Sequence, residues 1–191
     1  MFNCKYGGHR TYRHNAIRDL TFEHARGGGA EVKPEVKNLI PDGSAKRPAD
    51  IWVKDFYNGQ DAALDVVVTN VASHPSLFDA YSSQSNLGSI AEKGYTAKIA
   101  KSHAVCVENG LLFHPIAFES TGGVASESLV TLKAFSRRIC SSTSIDPKKF
   151  FHTLMKKISM ALQKANAMFV IDRLSLASPN NILAFLMDNI R

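Results

Sequence analysis

No stretch of this sequence approaches the ~18 uninterrupted apolar residues of a membrane-spanning helix. The opening Met1-Phe2-Asn3-Cys4-Lys5 lacks the apolar core of a secretory signal. Cysteine is scarce: Cys4, Cys106 and Cys140 are odd in number and show no paired spacing. That excludes a disulfide framework and points to a reducing, intracellular compartment, with Cys106 and Cys140 as small buried hydrophobes. No internal repeat is visible. With 45% hydrophobic and 21% charged residues over 191 positions, the composition excludes a disordered or collagen-like chain. The length suits one domain that buries roughly 70% of its unfolded surface.

What charge there is, is unevenly placed. Residues 1–50 carry 9 basic and 6 acidic groups, 51–130 carry 4 and 8, and 131–191 carry 10 and 3. Basic flanks around an acidic middle suit a site that holds cations while its rim attracts a polyanion. A solvated basic helix without a partner gives the same count.

Periodicity orders the elements. Ile17, Leu20, Thr21 and Ala25 recur at helical spacing until Gly27-Gly28-Gly29. Ala49 to Val53 reads as a strand, Asn58-Gly59 as a hairpin turn, and Ala62 to Thr69 as a strand buried on both faces. Residues 72–90 are Ser-rich and without period. Tyr95 to Asn109 reads as a helix closed by Gly110, and Leu111 to Phe118 as a further strand. Ser126 to Ile139 is amphipathic, and Phe150, Leu154, Ile158, Leu162 and Ala165 form the stripe of another helix, with Ile182 to Met187 a short last segment. The expected fold is α/β: a small mixed sheet with flanking helices and a helical C-terminal tail.

Chemistry concentrates at Asp50 and Asp65, on two strands joined by the Asn58-Gly59 turn. Paired strands lie about 4.8 Å apart, so side chains on one face converge. Asp65 is the only charged group in Ala62 to Thr69, and a lone charge there costs several kcal/mol unless it is paired or on a metal. Two such carboxylates hold Mg²⁺ (or Mn²⁺) together with waters and phosphate oxygens. Lys98 and Lys101, one turn apart, offer an ammonium to the scissile phosphate. The plainer alternative is a structural salt bridge from Asp65 to Arg47 or Arg13.

These residues, with their neighbours, resemble a known family. Arg47-Pro48-Ala49-Asp50, Ala63-Leu64-Asp65-Val66, the lysines of the 95–109 helix, and Phe113-His114-Pro115 leading to Glu119-Ser120-Thr121-Gly122-Gly123 are similar to the restriction-like endonuclease domain, of PD-(D/E)xK type, at the C-terminal end of some non-LTR retrotransposon polyproteins. Cys4 to Gly8 and Arg13 to Asp19 resemble the junction where a zinc module enters that domain, and Phe151 to Ala167 resembles the helical end of related transposon-derived reading frames. The similarity spans nearly the whole chain. It implies a restriction-endonuclease-like core over 13–140, a zinc-module remnant over 1–12 and a basic helical extension over 145–191. It implies a Mg²⁺-dependent nuclease acting on DNA (or RNA) in the nucleus, with Asp50 and Asp65 as metal ligands and Lys98 or Lys101 assisting. Arg13, His14, Arg47, Lys148, Lys149 and Lys156 are the expected nucleic-acid contacts, and the rest of a retroelement polyprotein the expected protein partner. No membrane contact is expected.

The sequence departs from that family in two places. Val67 stands where acid-x-Lys would put the lysine; in some relatives that lysine has moved to the following helix, and the resemblance implies that Lys98 or Lys101 stands in. The zinc module looks cut off: Cys4, His9 and His14 fall short of four ligands, the others lying before Met1, so zinc binding is expected to be weak. There is no Tyr-x-Asp-Asp or other polymerase signature. Glu119 is expected to be a solvated strand-end carboxylate with a metal role as the minor option, Trp52 a core residue, His14 a helix cap or phosphate contact, and Cys106 no nucleophile. Two alternatives to catalysis remain open at this stage: an inactive nucleic-acid-binding remnant, and an interaction module that exposes Phe150, Leu154 and Ile158.

Overall fold

The computed structural model describes residues 8–37, 39–40, 49–71 and 87–176, with side chains in the last helix as far as residue 172. Arg47, Cys4, most of the Ser-rich segment and Ile182 to Met187 lie outside the described residues.

The order is α1 (His9–Gly27), β1 (Val32–Pro34), β2 (Ile51–Tyr57), β3 (Gln60–Thr69), α2 (Ser89–Glu108), β4 (Leu112–Glu119), α3 (Ser126–Cys140) and α4 (Pro147–Leu176). The four strands form one mixed sheet in the order β1-β2-β3-β4. β1, β2 and β3 pair antiparallel, and β3 pairs with β4 in parallel. A parallel pair needs a long crossover, and α2 supplies it. The β2–β3 turn is the expected Asn58-Gly59 hairpin, both residues at positive φ as a two-residue hairpin loop of this kind requires.

β3 is buried on both faces, as its apolar run predicts. Ala62, Leu64 and Val66 point into a core shared with Ile17 of α1, Leu132 and Phe135 of α3, and Leu154 and Ile158 of α4. Ala63 and Val67 point the other way, to Cys106 and to Ala91 and Tyr95 of α2. So α2 covers one face of the sheet, and α1, α3 and α4 cover the other.

α4 packs in the same core as α1 and α3. Its stripe Phe150, Leu154, Ile158, Leu162, Ala165 and Phe169 is at most 6% exposed, and each such large apolar side chain contributes about 1.5–3 kcal/mol on burial. The exposed patch that would favour an interaction module is therefore not formed by these residues. No helix among the described residues is long and apolar enough to cross a membrane.

Both helix starts differ from expectation. α1 begins at His9 and α2 at Ser89, several residues before the apolar periodicity does. At α2 the reason is tertiary: the Glu119 carboxylate accepts the backbone N–H groups of Ile90 (3.0 Å) and Ala91 (3.4 Å). These are free donors of a first helical turn. Glu119 is 0% exposed, which corrects its reading as a solvated strand end. Gly123 leaves it room, since a Cβ there would lie 2.0 Å from Glu119 Oε2.

Candidate active site

Asp50 immediately precedes β2. Ile51 pairs with Leu64, and continuing that antiparallel register sets Asp50 opposite Asp65. β2 begins here while β3 runs on to Thr69. The Asp50 side chain replaces the missing strand: Asp50 N donates to Leu64 O (2.9 Å), and Asp50 Oδ2 accepts Val66 N–H (2.7 Å). Its other oxygen, Oδ1, lies 3.1 Å from His14 Nε2.

Asp65 faces α2 from the sheet and is 7% exposed. Lys98 Nζ lies 2.7 Å from Asp65 Oδ2. Lys98 thus reaches Asp65 from α2, one turn beyond Gly94. Gly94 packs hard against the sheet, and a Cβ on it would come 2.6 Å from Thr69 Cγ2.

The electrostatics follow from burial and from the two carboxylates' proximity. Burial pushes the Asp65 carboxyl up to about 6; the Lys98 ammonium opposes this and the neighbouring Asp50 adds to it. Burial also works against ionised Asp50, but the hydrogen bond and charge of His14, with the hydrogen bonds from Asp65 and Val66 N–H, hold it below the ordinary carboxylate value. The same hydrogen bond to Asp50 raises the His14 imidazole above its usual value against the cost of burial. An acid pair results in which Asp50 carries the charge and Asp65 holds a proton more readily.

Beside the pair opens a cleft of about 440 Å³ lined by Gly8, Arg10, Thr11, His14, Val66, Val67, Val68 and Lys98. A larger cavity, about 720 Å³, sits at the other end of α1 around His24 and Phe150 and touches neither acid.

The structure brings together Asp50, Asp65, Lys98 and His14. His14 lies inside α1, so it is no helix cap. Lys101 is exposed one turn further along α2, and the contact to Asp65 belongs to Lys98. Arg13 turns inward: it is 5% exposed, and its Nη1 donates to Asn166 Oδ1 of α4 (3.1 Å). That corrects its reading as a surface phosphate contact and as a partner of Asp65. Lys148, Lys149 and Lys156 are exposed on α4. Trp52 is half-buried, with Lys33 Nζ 5.1 Å from its ring centroid.

Two groups near the site were missed in the sequence. Arg10 lines the cleft, and Arg18, paired with Asp19 and Glu35, lies where Asp50 acts on its charge. A signal for both existed: Arg10, His14 and Arg18 recur every four residues, one stripe of a helix.

Asp50 and Asp65 could hold a hard divalent cation, the donors being carboxylate oxygens already forced together. Among the described residues no group of three or more His, Cys, Asp or Glu side chains is arranged as a metal site, so further ligands would be waters and substrate oxygens, a division that suits Mg²⁺. Of the residues read in the sequence as a zinc-module remnant, His9 lies 3.5 Å from Asp172 and edge-on to Phe169; His14 is engaged with Asp50.

No family model matches the chain, and no curated protein matches it.

Proposed function

We propose that this domain hydrolyses phosphodiester bonds of DNA as a Mg²⁺- or Mn²⁺-dependent endonuclease. The observation that carries the reading is the meeting of Asp50, Asp65 and Lys98 beside a cleft that Lys98 and His14 line: Lys98 reaches Asp65 at 2.7 Å from a helix far along the chain. The ordered resemblance to restriction-like endonuclease domains of non-LTR retrotransposons, carried in part by the same residues, agrees with it.

The two carboxylates bind the cation, which supplies charge neutralisation at the phosphate and an activated water. His14 and the Val66 N–H hold the two oxygens of Asp50, so its lone pairs are aimed before any ligand arrives. Lys98 orients Asp65 and sets a positive charge where negative charge develops on the phosphate. Arg10, at the cleft wall, attracts the substrate backbone. The exposed lysines of α4 add a general, salt-sensitive attraction.

An inactive remnant would show a lost lysine geometry or a blocked acidic cleft, and the Lys98–Asp65 contact speaks against the first. Nicking of supercoiled plasmid with Mg²⁺ or Mn²⁺ tests the reading. The wild type is expected to nick and Asp65→Ala, Asp50→Ala and Lys98→Ala are not; equal activity of wild type and Asp65→Ala would sink it.

A further inference from the structure

A second basic groove lies where α3 meets the start of α4. Lys133, Arg137, Pro147, Lys148, Phe151 and His152 line a cavity of about 360 Å³, enough for a single nucleotide-sized group. Its floor is aromatic. Phe151 is half-buried against the core, Lys133 Nζ lies 5.9 Å from its ring centroid, and the His152 ring stands beside it at 5.6 Å.

Among the described residues Lys133, Arg137 and Lys148 make no ion pair, and no acid lines the cavity. Three like charges are thus held around one concave aromatic surface without an internal counter-ion. A polyanion with flat apolar bodies between its charges complements that surface in both respects, and single-stranded nucleic acid has that chemistry.

We infer that the α3–α4 groove is a single-strand nucleic-acid site in which a base stacks on Phe151 and the flanking phosphates meet Lys133, Arg137 and Lys148. It is separate from the acid pair. Asn166, which contacts Arg13 on the turn of α1 that carries His14, is roughly 27 Å along α4 from Lys148 at 1.5 Å per residue. The inference rests on the proposed function only in taking nucleic acid as the polyanion.

The test is fluorescence anisotropy of a short labelled oligothymidylate with EDTA present, over a series of salt concentrations. Lys133→Gln/Arg137→Gln is expected to flatten the slope of log K against log salt by about 1.4, at ~0.7 per single-strand phosphate. Phe151→Leu, which keeps an apolar side chain against the core, is expected to weaken binding about tenfold while leaving tripolyphosphate binding unchanged. Should the first double variant misfold by circular dichroism, Lys148→Gln/His152→Gln decides by the same slope. An unchanged slope in the folded double variant overturns the inference; so does equal binding by Phe151→Leu, or tighter binding of duplex than of single strand. Plasmid nicking run on the same proteins separates the two readings: a chain that binds the oligonucleotide through the groove but never nicks keeps this site and loses the nuclease.

Discussion

Lys98 Nζ stands 2.7 Å from Asp65 Oδ2 because Gly94, one turn earlier on α2, lets the helix lie against Thr69. A side chain at 94 would meet Thr69 Cγ2 at 2.6 Å, a distance that packed carbons do not adopt. The glycine thus sets the reach of a lysine four residues away.

Gly94→Ala should therefore lose function and stability together. Helix propensity alone favours alanine by about 1 kcal/mol, but overpacking typically costs about 1–3 kcal/mol. The expected outcome is a net loss in urea unfolding, with weaker Mg²⁺ binding by calorimetry. A more stable variant with unchanged Mg²⁺ affinity would show that the sheet face yields at no cost.

Asp65→Asn is expected to stabilise the metal-free protein near neutral pH. The folded Asp65 has a pKa of about 6 against an ordinary 3.8, so the unfolded chain releases its proton first. The Asp65 contribution to wild-type stability then falls as pH rises from about 3.8 to about 6, by on the order of 2–3 kcal/mol, and is constant above that. Unfolding in EDTA should show this fall in the wild type and its absence in Asp65→Asn. The same variant should lose Mg²⁺ binding.

His14 runs in the opposite sense. Its folded pKa is raised from 6.5 by the bond to Asp50, so its stabilisation is complete below about 6.5 and is lost as pH climbs through the higher folded value. Asp50, held low, loses its share as pH falls below the ordinary carboxylate range. His14→Gln should abolish the alkaline loss while leaving the fold intact. NMR titration of the imidazole at or below 6.5 would count against the His14–Asp50 pairing.

Glu119→Ala should cost more than its position at a strand end suggests. It strips the acceptor from the Ile90 and Ala91 N–H groups, and a buried donor left unpaired costs about 1–3 kcal/mol. Glu119→Gln keeps a carbonyl acceptor and should lose less. Amide exchange at Ile90 and Ala91 checks the assignment, with faster exchange expected in the alanine variant.

How much of this was legible depended on range. The hairpin, the buried β3 and the stripes of α3 and α4 follow from local spacing, and they match the structure closely. Asp50 and Asp65 stood out because carboxylates are rare in such apolar surroundings. The start of α2 was not legible, since the group that satisfies it, Glu119, lies some thirty residues on. Nor was the inward turn of Arg13, whose partner Asn166 sits on a helix that the local pattern says nothing about. Lys98 could not be told from Lys101 by sequence, because the choice depends on how Gly94 seats the helix.

At the start of β2, a side-chain oxygen does the work of a neighbouring strand. Val66 N–H is capped by Asp50 Oδ2, so the last rung of the ladder and the acid offered to a ligand are one group. Whatever draws that oxygen away uncovers an amide next to Asp65. The exchange rate of a single backbone proton, at Val66, then becomes a built-in gauge of occupancy at the carboxylate pair, readable without substrate and without turnover.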